Sequence, residues 1–167
     1  MPGSNIPTNN SVIAQNLKLN YEYTMQIMTS IETVSGTGTF SPLAEGFDNI
    51  TEAMNEVVSQ FSFLSDEGWG SSYVTGAQPT YTLTGYRVTG DAAQDFIFGN
   101  DVLYGFGKAR ETTMIITSPD GTHIEVPVTL AGISRSGGAA NAPTAISVTI
   151  HFRGKPKITT ATTVSET

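Results

Sequence analysis

Leu17-Lys18-Leu19-Asn20-Tyr21-Glu22-Tyr23-Thr24-Met25-Gln26-Ile27-Met28 alternates strictly: every odd position from 17 to 27 is apolar, and the residues between are polar. Period two over that length predicts one strand, buried on one face and wet on the other. At about 3.3 Å per residue it would span roughly 40 Å, long beside the usual strand of about 5–6 residues. Such a strand needs a sheet on its apolar side and a use for its polar side.

The second half of the chain supplies the sheet. Tyr81-Thr82-Leu83-Thr84 reads as a strand, and from Thr112 onward the pattern is β throughout. Met114 and Ile116 share a face, Pro119-Asp120-Gly121 is a hairpin turn, and Ile124, Val126, Val128 and Leu130 return on even positions. After a loop from Gly137 to Pro143, Ile146, Val148, Ile150 and Phe152 repeat that pattern. One helix interrupts the strands near residues 91–99. Asp91 is its N-cap, Gln94 stands at the capping-box position, and Gly99 is its stop. The fold class expected is mainly β, a β-sandwich with one short flanking helix.

Between the first strand and Pro79 the pattern is ambiguous. Ile50, Ala53, Met54, Val57, Val58 and Phe61 fit a helical face, whereas Ser59, Phe61 and Phe63 alternate as in a strand. Gly36, Gly38, Gly46, Gly68, Gly70 and Gly76 punctuate both ends. The expectation is a long loop near 36–79 with an extended stretch near 57–64, and a loop of that length is functional or disordered. Residues 1–16 and 159–167 lack periodicity and read as flexible arms, leaving 17–158 as a single domain.

Composition excludes several classes. With 167 residues the chain can bury a real core, and with no cysteine it has no disulfide framework. No secretory signal is read at the N-terminus and no stretch is apolar enough for a membrane span. Net charge is −7 with only eight Lys and Arg, so the chain is not built to wrap nucleic acid. The acidity serves either solubility or repulsion of something that must pass by.

No constellation reads as an active site. His123 and His151 lie on polar strand faces and could pair only if those strands adjoin, and no carboxylate stands at ligand spacing. Gly105-Phe106-Gly107-Lys108 lacks the spacing of a phosphate loop and reads as a turn. Asp66-Glu67-Gly68 and Asp120-Gly121 lack the alternating oxygens of a calcium loop. The expectation is no enzyme, no metal and no cofactor. Trp69, in a Gly-rich run beside Tyr73, is either a core plug or an anchor for another subunit, and Phe40 and Phe47 pose the same choice.

The order of several pieces is more specific than any one of them. Phe61-Ser62-Phe63-Leu64-Ser65-Asp66-Glu67-Gly68-Trp69-Gly70 precedes Val74-Thr75-Gly76. Thr82-Leu83-Thr84-Gly85, Arg87 and Gly90-Asp91-Ala92-Ala93-Gln94-Asp95-Phe96-Ile97 follow. Gly137-Gly138-Ala139, Asn141-Ala142-Pro143 and Phe152 with Gly154-Lys155-Pro156 close the series. Over roughly residues 15–158 this resembles the major tail proteins, or tail tube proteins, of long non-contractile-tailed phages of Gram-positive bacteria.

The resemblance implies hexameric rings of β-sandwich subunits, stacked into a tube through which DNA passes without specific binding. It implies a virion location after synthesis in a host cytoplasm. The implied partners are further copies of the chain, a tape measure, a tail terminator and a distal tail protein. Phe40, Phe47, Trp69 and Tyr73 are then the candidate subunit interface. Glu22 and Glu125, on polar strand faces, are candidate lumen acids that repel phosphate. The alternatives are a β-sandwich binding module with Trp69 and Tyr73 as a sugar platform, or a tail-completion or capsid accessory protein.

Overall fold

The computed structural model describes residues 17–31, 38–136 and 139–160. The expected arm at 1–16, Gly36, the Gly137-Gly138 turn and the tail beyond residue 160 lie outside the described residues.

Among the described residues ten strands form: β1 (Thr24–Ile31), β2 (Gly38–Pro42), β3 (Phe47–Ala53), β4 (Glu56–Phe61), β5 (Ser71–Ala77), β6 (Thr80–Tyr86), β7 (Glu111–Thr117), β8 (His123–Ser136), β9 (Ala145–Phe152) and β10 (Lys157–Thr159). Two short helices, α1 (Ala92–Ile97) and α2 (Asn100–Leu103), join β6 to β7. Eight strands make one antiparallel sheet in the order β2-β1-β7-β8-β9-β6-β3, with β10 on β8, while β4 and β5 form a separate hairpin.

The two edge strands of that sheet, β2 and β3, are joined by only Leu43–Gly46. Four residues reach at most about 14 Å, so the sheet must curl until its edges nearly meet. Its apolar face is thereby turned inward, and its two halves oppose each other across one core in the manner of a sandwich. Val126, Val128 and Leu130 of β8 and Ile146, Val148, Ile150 and Phe152 of β9 meet Met25 and Ile27 of β1, Met114 and Ile116 of β7, and Leu83 of β6 there. Burying each such aliphatic side chain contributes about 1.5–3 kcal/mol.

The expected strand at 17–28 begins only at Thr24. Thr24 pairs with Thr117 at the very end of β7, so earlier residues have no strand to bond to. They turn instead through Asn20–Glu22, where Glu22 N–H donates to Leu19 O at 3.0 Å and Leu19 N–H to Glu22 Oε2 at 3.1 Å. Leu17, Leu19, Tyr21 and Tyr23 stay exposed, and Glu22 is not on a strand face.

The expected loop at 36–79 is mostly strand: it contains β2, β3 and the β4–β5 hairpin. The extended stretch near 57–64 corresponds to β4, and the helical alternative does not form. The expected helix is present with its cap, Asp91 Oδ1 accepting from Gln94 N–H at 2.8 Å, and Gly99 separates it from α2.

Gln94 does not complete a capping box. Its buried amide donates to Glu45 O at 2.7 Å and Tyr86 O at 3.1 Å and accepts from Val88 N–H at 2.8 Å. The helix is thus bolted to the edge-joining segment and to the end of β6.

At the same junction Tyr86 N–H donates to Gly46 O at 2.7 Å, and Gly85 lies against the Gly46–Phe47 backbone. A Cβ on Gly85 would run into Gly46 O and lie 2.7 Å from Phe47 Cα, both backbone atoms. Gly85→Ala is expected to cost about 1–3 kcal/mol by overpacking, or several degrees of melting temperature at about 2–4 °C per kcal/mol. Thermal unfolding followed by circular dichroism measures it. An unchanged melt would mean that the junction gives way freely.

Candidate functional site

The β4–β5 hairpin leaves the sheet between Ala53 and Thr80, where β3 and β6 pair. Asn55 pins its base. This residue adopts φ 47°, a left-handed conformation that Asn tolerates, and its amide donates to Gln78 O at 3.0 Å and Thr80 Oγ1 at 2.9 Å. Beyond that pin no residue of either strand is buried.

Both faces of the hairpin are nevertheless apolar in part. Val58 pairs with Val74 on one face. Phe61 and Tyr73 meet on the other, with ring centroids 5.9 Å apart. At the tip, Phe63, Leu64 and Trp69 project into solvent, Trp69 with 81% of its surface exposed. A turn at Leu64–Asp66 holds them there, with Phe63 N–H donating to Asp66 Oδ2 at 2.9 Å.

An isolated two-stranded hairpin is marginal in water, and a contiguous apolar surface of this kind marks an interaction site. Trp69 is therefore not a core plug. Trp69 and Tyr73 share this arm, whereas Phe47 packs against the core and Phe40 is half-buried on edge strand β2. A projecting arm is also not the concave platform that a sugar site needs.

The outer face of the sheet is polar. Rows of hydroxyls cross it: Thr113 on β7, Thr129 on β8, Thr149 and Ser147 on β9, Thr82 and Thr84 on β6, with Thr82 and Thr149 oxygens 3.3 Å apart. Glu125 lies on this face, exposed and directly opposite Lys157. Glu111 forms an ion pair with Arg153 at 3.0 Å. The face is therefore more neutral than acidic.

His123 and His151 lie on adjoining strands of this same face, yet apart. His151 is opposite Thr129, six residues and about 20 Å along β8 from His123. Among the described residues no group of three or more His, Cys, Asp or Glu could hold a metal ion. Gly105–Lys108 is the turn expected, leading into a single helical turn at Gly107–Arg110.

A groove of about 710 Å³ opens where the two halves of the sheet diverge, between Tyr21 and Tyr23 on one side and Phe47, Ile50 and Tyr81 on the other. The Tyr81 hydroxyl donates to Glu52 Oε1 at 2.7 Å. Burial, and secondarily that carboxylate, pushes the phenol well above its ordinary pKa, so it stays neutral. No helix among the described residues is long and apolar enough to cross a membrane.

No protein-family model matches the sequence, and no curated protein does. Solved structures do match the fold. The tail of an empty gene transfer agent particle, refined with C6 symmetry, superposes with a TM-score of 0.60 at 16% identity, over 86% of this chain and 99% of that one. The SPP1 tail tube gives 0.56 at 12% identity over 87% and 80%. A sheath/tube terminator of an extracellular contractile injection system gives 0.52 at 9% over 86% and 96%. Identities this low speak to architecture, and the architecture is common to all three: this chain has the tail-tube fold.

Proposed function

We propose that the chain is a tail tube subunit of a phage or phage-like particle. Copies form hexameric rings, the rings stack, and the polar outer face of the sheet lines a channel for DNA. The observation that carries this reading is the two-faced apolar arm on a tail-tube fold, a feature that a solitary protein has no reason to expose. The six-fold ring is taken from the C6 tail whose subunit this chain resembles. A structural virion role follows, without chemistry, with tape measure, terminator and distal tail proteins as the further partners.

The channel wall on this reading is chiefly hydroxyl. DNA slides because the cations of this wall, Lys157 and Arg153, each stand against a carboxylate and so do little to neutralise phosphate. Glu125 is the remaining candidate lumen acid, moderated by Lys157 across the strand. Glu22 sits in the turn before β1 and caps Leu19, which removes the strand-face argument for it.

The arm is the testable part. Joining Glu56 to Ala77, its partner across the hairpin, through a two-residue Asn-Gly turn removes the tip but keeps the Asn55 pin. The shortened chain is expected to melt at the same temperature and to stay in the supernatant where the full chain pellets as polymer. Normal tubes from the shortened chain would overturn the arm's role in assembly.

A further inference from the structure

Strand direction places two features at opposite ends of the subunit. Thr80 of β6, His151 of β9, Thr129 of β8 and Glu111 of β7 form one row across the sheet. β6 runs from that row toward Tyr86, and β7 runs from it the opposite way, toward Thr117. The arm precedes Thr80, and residues 87–110 precede Glu111, so the two connections leave the row in opposite directions. The arm lies toward the Pro119–Gly121 turn. The segment α1–α2 and its continuation to Arg110 lie at the other end.

That other end carries a knuckle, Leu103–Arg110. Tyr104 is exposed, and Phe106 more so, at 86%. Arg110 holds the loop from beneath: its guanidinium donates to Gly105 O and Leu103 O, each at 2.8 Å, and sits 5.9 Å from the Phe106 ring centroid. Lys108 is exposed and pairs with no carboxylate among the described residues. Two exposed aromatic rings and the exposed Lys108 ammonium are thus presented on a loop that the half-buried Arg110 braces, and the acids flanking it in the chain are Asp101 and Glu111, the latter paired with Arg153.

The arm is its complement. Residues 54–79 contain Glu56, Asp66 and Glu67 and no Lys or Arg, around Phe63, Leu64 and Trp69. We infer that the arm tip of one copy docks on the Tyr104–Arg110 knuckle of a second copy, with Glu67 facing Lys108. The inference rests on the tube reading and adds its acceptor surface. Because donor and acceptor sit at opposite ends, the contact is heterologous and leaves a free arm and a free knuckle on every pair, so it propagates. Bracing both loops beforehand lowers the ordering cost of the contact.

A charge swap in the full chain tests it, read as the critical concentration for polymer that pellets. Lys108→Glu and Glu67→Lys should each raise that concentration about 5-fold, since each replaces an attraction by a repulsion at a partly screened site. The double variant should return toward the unmodified chain. As the chain has no cysteine, Leu64→Cys combined with Tyr104→Cys gives a second readout. Oxidation should produce an open-ended ladder of disulfide-linked oligomers on a non-reducing gel.

Wild-type polymer with no ladder and no response to Lys108→Glu would overturn this acceptor and leave the tube reading standing. A ladder that stops at dimers would overturn the head-to-tail geometry. No wild-type polymer at any concentration would remove both.

Discussion

Trp69→Ala is expected to abolish tube formation and to leave the subunit folded. The indole is 81% exposed in the single subunit, so its removal takes away little folding energy. Surface changes of this kind fall within about ±0.5 kcal/mol. At an interface the same ring is the residue type whose loss costs most, about 2–4 kcal/mol for a Trp anchor, or roughly 30- to 1000-fold in affinity. In the proposed tube every subunit would make the contact, so the loss would recur along the whole assembly. Electron microscopy at matched concentrations should show tubes for the wild type and none for the variant, with melting temperatures within about 2 °C of each other. Long tubes from the variant would exclude Trp69 as the anchor. A collapsed melting temperature would show that the ring supports the fold.

Gln94→Met should have the opposite signature, a damaged fold in a chain whose exposed arm is untouched. Methionine conserves the volume but leaves Glu45 O, Tyr86 O and Val88 N–H without the partners that Gln94 now supplies. An unsatisfied buried group costs about 1–3 kcal/mol, so three cost at least about 3 kcal/mol out of a typical stability of about 5–15. The melting temperature should fall by roughly 10 °C at about 2–4 °C per kcal/mol. A drop of under about 2 °C would mean that water or a shifted backbone takes over those bonds, and that the bolt between α1 and the sheet edges is dispensable.

These two residues also show what a sequence reveals and what it hides. β7, β8 and β9 were legible because one face is buried and the other wet, and because Pro119-Asp120-Gly121 marks the turn, where Gly121 adopts φ 82°. The same period misled at residues 17–23. Alternation records which residues would suit a strand, and it holds no information on whether β7 extends far enough to pair with them.

The arm was hidden for a different physical reason. Periodicity reports burial within one subunit, and residues 56–77 bury neither face there. Val57, Val58 and Phe61 therefore fitted a helical face while Ser59, Phe61 and Phe63 fitted a strand, and neither template won. The remaining signal was local, a Trp in a Gly-rich run, and it left core plug and surface anchor equally open.

Gln94 was found as a cap partner because the capping box is a local motif. Its actual reach to Glu45 spans 49 residues of sequence, which no local pattern encodes. Phe106 and Lys108 were visible only as a failed phosphate loop. Their meaning comes from Arg110 bracing the turn and from the end of the sheet on which it stands.

As a tail tube subunit, this chain should join head to tail with further copies of itself into a hollow tube. Electron microscopy of the purified full chain across a concentration series, with averaging of end-on views, tests it most directly. The expected result is hollow tubes that lengthen with concentration and show six subunits around an open channel. Compact single subunits at every concentration, or closed dimers without a channel, would contradict it.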